Sequence, residues 1–86
     1  MLENGKVVRA TSGRDAGGYY IVVGSKNDRI LIADGKRRKL ETPKRKNCRH
    51  LLVTDYELDM ESITGNEKLR KMLNMYNQAK QANESH

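Results

Sequence analysis

No apolar run in this chain is longer than five residues, and between residues 5 and 35 glycine cuts the apolar stretches into short β-branched pieces. Lys6 to Thr11 (KVVRAT) ends at Ser12-Gly13, and Tyr19 to Val23 (YYIVV) opens after Gly17-Gly18 and closes at Gly24-Ser25. Such pieces fit strands bounded by turns, and none could cross a membrane as a helix. Asn27-Asp28 reads as a turn and Arg29 to Asp34 (RILIAD) as a third strand, with Ile30 and Ile32 on one face. Asp34-Gly35 predicts a two-residue type I′ hairpin, whose central positions both need positive φ. A short fourth strand is expected through Arg37 to Leu40, Pro43 in the loop after it, and a fifth strand over Cys48 to Thr54. With no Phe or Trp, the core must come from Val, Ile and Leu, which favours strands. Five short strands with tight turns suggest a small closed barrel or a sandwich of two curved sheets.

The period changes towards the C-terminus. Leu69, Met72, Leu73, Tyr76 and Ala79 follow the i, i+3, i+4, i+7 spacing of one helical face. Thr64 and Glu67 stand three apart as in a capping box, so a helix is expected over 65–82, after a linker at 57–64 and before a mobile tail at 83–86. Its apolar stripe needs a cover. The first 56 residues are its expected partner, and another protein or a second copy is the rival.

Charge divides the chain in the same way. There are 17 Lys and Arg against 11 Asp and Glu, and residues 36–50, KRRKLETPKRKNCRH, carry eight of the basic side chains and one acidic one. A block of that density attracts polyanions. Leu40, Thr42 and Pro43 interrupt it, so it predicts a strand and a loop that follow an RNA backbone, not a helical stripe for a DNA major groove.

Other chemistry is not assembled. Gly13-Arg14-Asp15-Ala16-Gly17 is followed by a strand and lacks Lys-Ser/Thr, which excludes a P-loop and a dinucleotide fingerprint. It reads as a turn in which Gly13 and Gly17 supply positive φ and Arg14 points outward. Cys48 and His50 share a strand face but are too few to hold zinc. Asp55, Glu57, Asp59 and Glu61 alternate like a calcium loop, yet Met60 and Asn66 stand where an EF-hand needs Gly and Glu. No nucleophile with a base and no carboxylate pair is evident, so neither an enzyme nor a cofactor is expected. One cysteine and the absence of a signal-like start at residues 1–5 point to the cytoplasm.

The string GKVVRATSGRDAGGYYIVVGSKNDRILIADG resembles a KOW motif, the glycine-centred hairpin of many ribosomal and transcription-elongation proteins. Gly5, Val8, Gly13-Arg14-Asp15, Gly17 and Ile21-Val22-Val23 carry the likeness. The continuation, ADGKRRK and then CRHLLVTD, is similar in layout to a KOW-containing ribosomal protein of the archaeal and eukaryotic large subunit. Residues 5–55 are covered; the helix after Asp55 lies outside the motif. The resemblance implies a small five-stranded barrel of the Src-homology-3 (SH3) type that binds structured, chiefly ribosomal, RNA, so that with the C-terminal amphipathic helix read from its spacing the chain is expected to be mainly β.

The expected RNA-binding residues are Arg9, Arg14, Lys36, Arg37, Arg38, Lys39, Lys44, Arg45, Lys46 and Arg49, because Lys and Arg neutralise phosphates and Arg also forks onto them. Tyr19 and Tyr20 are candidates for base stacking, one facing out while the other packs inward. RNA, with ribosomal proteins as further partners, no membrane and a monomeric state are the expectation. The alternative is a protein-interaction adaptor that docks through the barrel or through Met72, Met75 and Tyr76.

Overall fold

Alternate residues of a strand face opposite ways, and in this sheet both faces are apolar. In the computed structural model, which describes residues 2–84 and side chains as far as residue 80, β1 (Lys6–Ala10) buries Val7 on one face and Val8 and Ala10 on the other. β2 (Tyr19–Lys26) and β3 (Arg29–Ala33) do the same, with Ile21 and Ala33 on the first side and Tyr20, Val22 and Ile32 on the second. β4 (Lys44–Lys46) and β5 (Leu51–Glu57) complete an antiparallel sheet in the order β4-β3-β2-β1-β5. The chain is therefore mainly β with one C-terminal helix, α1 (Asn66–Glu84).

The sheet is open, whereas a closed barrel was expected. β4 and β5 are its two edges and are not hydrogen-bonded to each other. β4 has only three residues and passes to β5 through a 3₁₀ turn, Cys48–His50, capped by the Asn47 side chain on Arg49 N–H at 3.0 Å. A strand that short cannot complete a ladder. Instead the Lys46 ammonium donates to the Ser12 carbonyl at 2.9 Å, joining the β4 edge to the end of β1 through a side chain. The pairing is irregular at two places, each of which bends its strand: an extra residue on β2 between Val22 and Gly24, and a slip of β5 opposite Val7, where the Thr54 hydroxyl donates to the Val7 carbonyl at 2.7 Å.

Two local expectations also change. The two-residue turn with positive φ at both centres is Asn27-Asp28, at +50° and +64°, between the paired Lys26 and Arg29. Asp34-Gly35 opens a long connection, because Asp34 Oδ1 accepts from the N–H groups of Lys36 and Arg38, both at 2.9 Å, and holds the chain out of a strand. The fourth strand accordingly forms at Lys44–Lys46 and not at Arg37 to Leu40, pairing Lys44 with Ile32 and Lys46 with Ile30.

Helix α1 covers one face of the sheet. Leu69 and Leu73 are buried against Val7, Ile21, Ala33 and Leu58, with Met72 and Tyr76 packed beside them. Each fully buried Leu contributes about 1.5–3 kcal/mol, which a 19-residue helix with a polar outer face needs in order to stay folded. Its first turn is held by tertiary contacts instead of the expected Thr64 and Glu67 capping box. Asn66 Oδ1 accepts from Leu40 N–H at 2.8 Å and its amide donates to Glu41, while Glu67 pairs with Lys71 at 3.3 Å. The tail expected at 83–86 begins inside the helix at residues 83 and 84, and 85 and 86 lie outside the described residues.

Candidate nucleic-acid interface

The long β1–β2 and β3–β4 connections lie at the same end of the antiparallel sheet, and one carboxylate ties them together. Asp15, only 3 % exposed, meets Arg38 in a two-pronged pair, Nε to Oδ1 and Nη2 to Oδ2, both at 3.1 Å. Lys46 Nζ stands 3.9 Å from Oδ2, and the Tyr20 hydroxyl donates to Oδ1 at 3.3 Å. Burial alone would raise the Asp15 carboxyl, but the hydrogen bonds and charge of Arg38, then Lys46 and Tyr20, outweigh it and hold the carboxyl below its usual range. Burial first, and then the Asp15 charge, push the Tyr20 phenol up to about 12. The region's buried acid is thus neutralised from within.

Arg14 and Arg37 beside it are exposed. Arg14 from the β1–β2 loop and Arg37 and Arg38 from the β3–β4 loop line one shallow hollow. Lys36 and Lys39 are exposed on the β3–β4 connection, Lys44 and Arg45 on β4 itself and Arg49 on the 3₁₀ turn after it, which abuts the β1–β2 loop through Thr11 N–H to the His50 carbonyl at 2.9 Å. Gly13 and Gly17 have φ of +77° and +89°. An L side chain at either would be strained, so the glycines let the loop fold back and bring Asp15 inward with Arg14 outward.

Three of the expected residues sit elsewhere. Lys46 is 8 % exposed and its ammonium is spent on Ser12 and Asp15, so it cannot also neutralise a phosphate. Tyr20 is buried in the core beneath Asp15 and offers no ring face to a base. Arg9 lies over the Tyr19 ring, 5.8 Å from its centroid, in a hollow shared with Leu52, Val53 and Lys80 and not with the basic loops. Tyr19 is half-buried and packs edge-on against Tyr76, with ring centroids 5.2 Å apart.

No protein-family model matches this chain, and no curated protein matches it. Among the described residues no three His, Cys, Asp or Glu side chains gather to hold a metal, and no helix is long and apolar enough to cross a membrane.

Sequence reasoning missed three residues that shape this surface: Asp15 as the pivot, Asp34 as the organiser of the basic loop, and Arg70. Arg70 of α1 shares a crevice with Lys36, Tyr19 and the Gly17-Gly18 backbone. Its only signal in the sequence is its i, i+4, i+7 spacing with Asn74 and Asn77, which places the three on one helical face.

Proposed function

We propose that this protein binds structured RNA through the basic loops at one end of the sheet, as a KOW-type domain of SH3-like architecture. The observation that carries the reading is the convergence of Arg14, Arg37 and Arg38, from two connections, on one hollow, while the neighbouring acid Asp15 is buried and paired. Guanidinium groups held by a rigid scaffold fork onto phosphate oxygens, and loops, unlike a helix, can track the phosphates of a folded RNA. The five-stranded antiparallel sheet, its glycine loop after β1 and its basic connection before β4 support the KOW-type reading. The resemblance over residues 5–55 supports ribosomal RNA as the substrate class, in a translation-related, cytoplasmic setting.

If Arg14, Lys36, Arg37, Lys39, Lys44, Arg45 and Arg49, all exposed, together engage about five phosphates, the log–log salt slope of binding should lie near −3 to −4. Replacing Arg14, Arg37, Lys44 and Arg45 with Glu should weaken binding to all RNA sequences and flatten that slope, with the melting temperature retained. A folded variant that binds as tightly as the parent in 0.1 M salt would overturn the proposal.

One observation favours a protein-interaction adaptor as the second reading. Met75 is 70 % exposed and borders an apolar groove formed with Tyr56, Leu58, Met72, Tyr76 and Ala79. A protein partner retained in high salt and after nuclease treatment would move the preference to that reading.

A further inference from the structure

We propose that the crevice between the β1–β2 loop and helix α1 is a pocket for one unpaired nucleotide, so that the helix takes part in recognising RNA. The inference rests on the RNA-binding reading and adds to it a ligand class and a set of residues that the basic loops do not include.

The crevice has three kinds of wall. Gly17 and Gly18 offer bare backbone beside Tyr19, Lys36 and Arg70 supply positive charge, and Asn74 and Asn77 supply carboxamides. A Cβ added at Gly17 would meet nothing within 4 Å, so that wall is open. Arg70, Asn74 and Asn77 form one stripe along α1, immediately beside the side chains that dock the helix, and Leu73 forms the floor. Lys36 and Arg70 have no carboxylate partner among the described residues.

These groups match the parts of a nucleotide. Two cations suit a phosphate, and carboxamides, each both donor and acceptor, suit the edge of a base. Asp34 also lines the crevice; its Oδ1 serves the N–H groups of Lys36 and Arg38. An acceptor there favours a base that carries an exocyclic amine and ranks uracil last. The nucleotide must be unpaired, because the bases of an A-form duplex are stacked and their edges are engaged.

The test compares a fully paired hairpin RNA with four hairpins that each carry a single bulged nucleotide, A, C, G or U, binding to the full chain and to Asn74→Ala/Asn77→Ala. Alanine is the better helix former, so the variant should keep the fold, with its melting temperature as the control. The parent should prefer at least one amine-bearing bulge to the paired hairpin by about five- to a hundredfold, the scale of one good side-chain contact to a base edge. The variant should lose that preference while binding the paired hairpin like the parent. A parent that binds all five RNAs equally, with the expected salt slope, would overturn the pocket and leave the basic-loop reading standing. A variant that keeps the preference, or an acidic peptide that competes as well as the bulged RNA, would also overturn it. Binding to none of the five would overturn both readings.

Discussion

Asp15 and Arg38 lie 23 residues apart in sequence and meet in two parallel hydrogen bonds, each 3.1 Å, with the carboxylate almost wholly buried and the guanidinium edge reaching solvent. The pair fixes the β1–β2 loop to the β3–β4 loop and so sets where Arg14 and Arg37 stand relative to each other. It is structural on one side and part of the candidate interface on the other.

Asp15→Asn should therefore cost about 3 kcal/mol, the scale for removing one partner of a buried ion pair and leaving the other, here Lys46, uncompensated. The pH dependence follows from the lowered carboxyl. Asp15 releases its proton more readily folded than unfolded, so its contribution is complete above about pH 4 and is lost as pH falls through the lower, folded value. Denaturant titrations from pH 7 to pH 2 should show the parent losing stability over that acid range more steeply than the variant. Parallel acid profiles would contradict this role.

Tyr20 gives the opposite sign at the alkaline end. Its phenol is raised to about 12 in the folded chain against an unperturbed value near 10, so its contribution is complete below pH 10 and is lost as pH rises towards 12. The parent should lose stability more steeply than Tyr20→Phe in that interval, by about 2–3 kcal/mol over the whole range. Absorbance at the phenolate band should show one tyrosine in the parent that ionises late, and this signal should vanish in the variant.

Gly17 and Gly35 share a positive φ, of +89° and +79°, but not their surroundings. Nothing lies near a Cβ at Gly17, whereas one at Gly35 would overlap the Asn66 carbonyl and come within 3.1 Å of Arg70 N. Gly17→Ala should cost about 1–2 kcal/mol from backbone strain alone. Gly35→Ala should cost more, because it also pushes the first turn of α1 off the basic loop. Hydrogen exchange should show extra opening over residues 66–70 in Gly35→Ala and none there in Gly17→Ala.

Helix docking should separate two apolar residues of α1. Leu69 is completely buried in the sheet–helix core and Met75 is 70 % exposed, so Leu69→Ala should cost about 2–5 kcal/mol while Met75→Ala should change stability by less than about 0.5 kcal/mol. Equal melting temperatures for the two variants would mean that the helix does not rest on the sheet in solution.

The sequence by itself determined what depends on near neighbours. β-branched runs cut by glycine became β1, β2 and β3, the 3.6-residue period became α1, and an Asn-Asp pair between extended runs became a tight turn, because backbone sterics and side-chain direction act within a few residues. Tertiary structure alone decided the rest. Arg37 to Leu40 carries no local mark against being a strand; Asp34 draws that backbone out of the sheet and Asn66, 26 residues away from Leu40, holds it there. Ten cations read alike in sequence, yet Lys46 turns inward because one carboxylate, 31 positions earlier, lies buried beside it, and Arg9 stands apart because β1 aims it at Tyr19. A charge declares its sign in sequence, but its direction is set by the balance between desolvation and a partner that only the folded chain supplies.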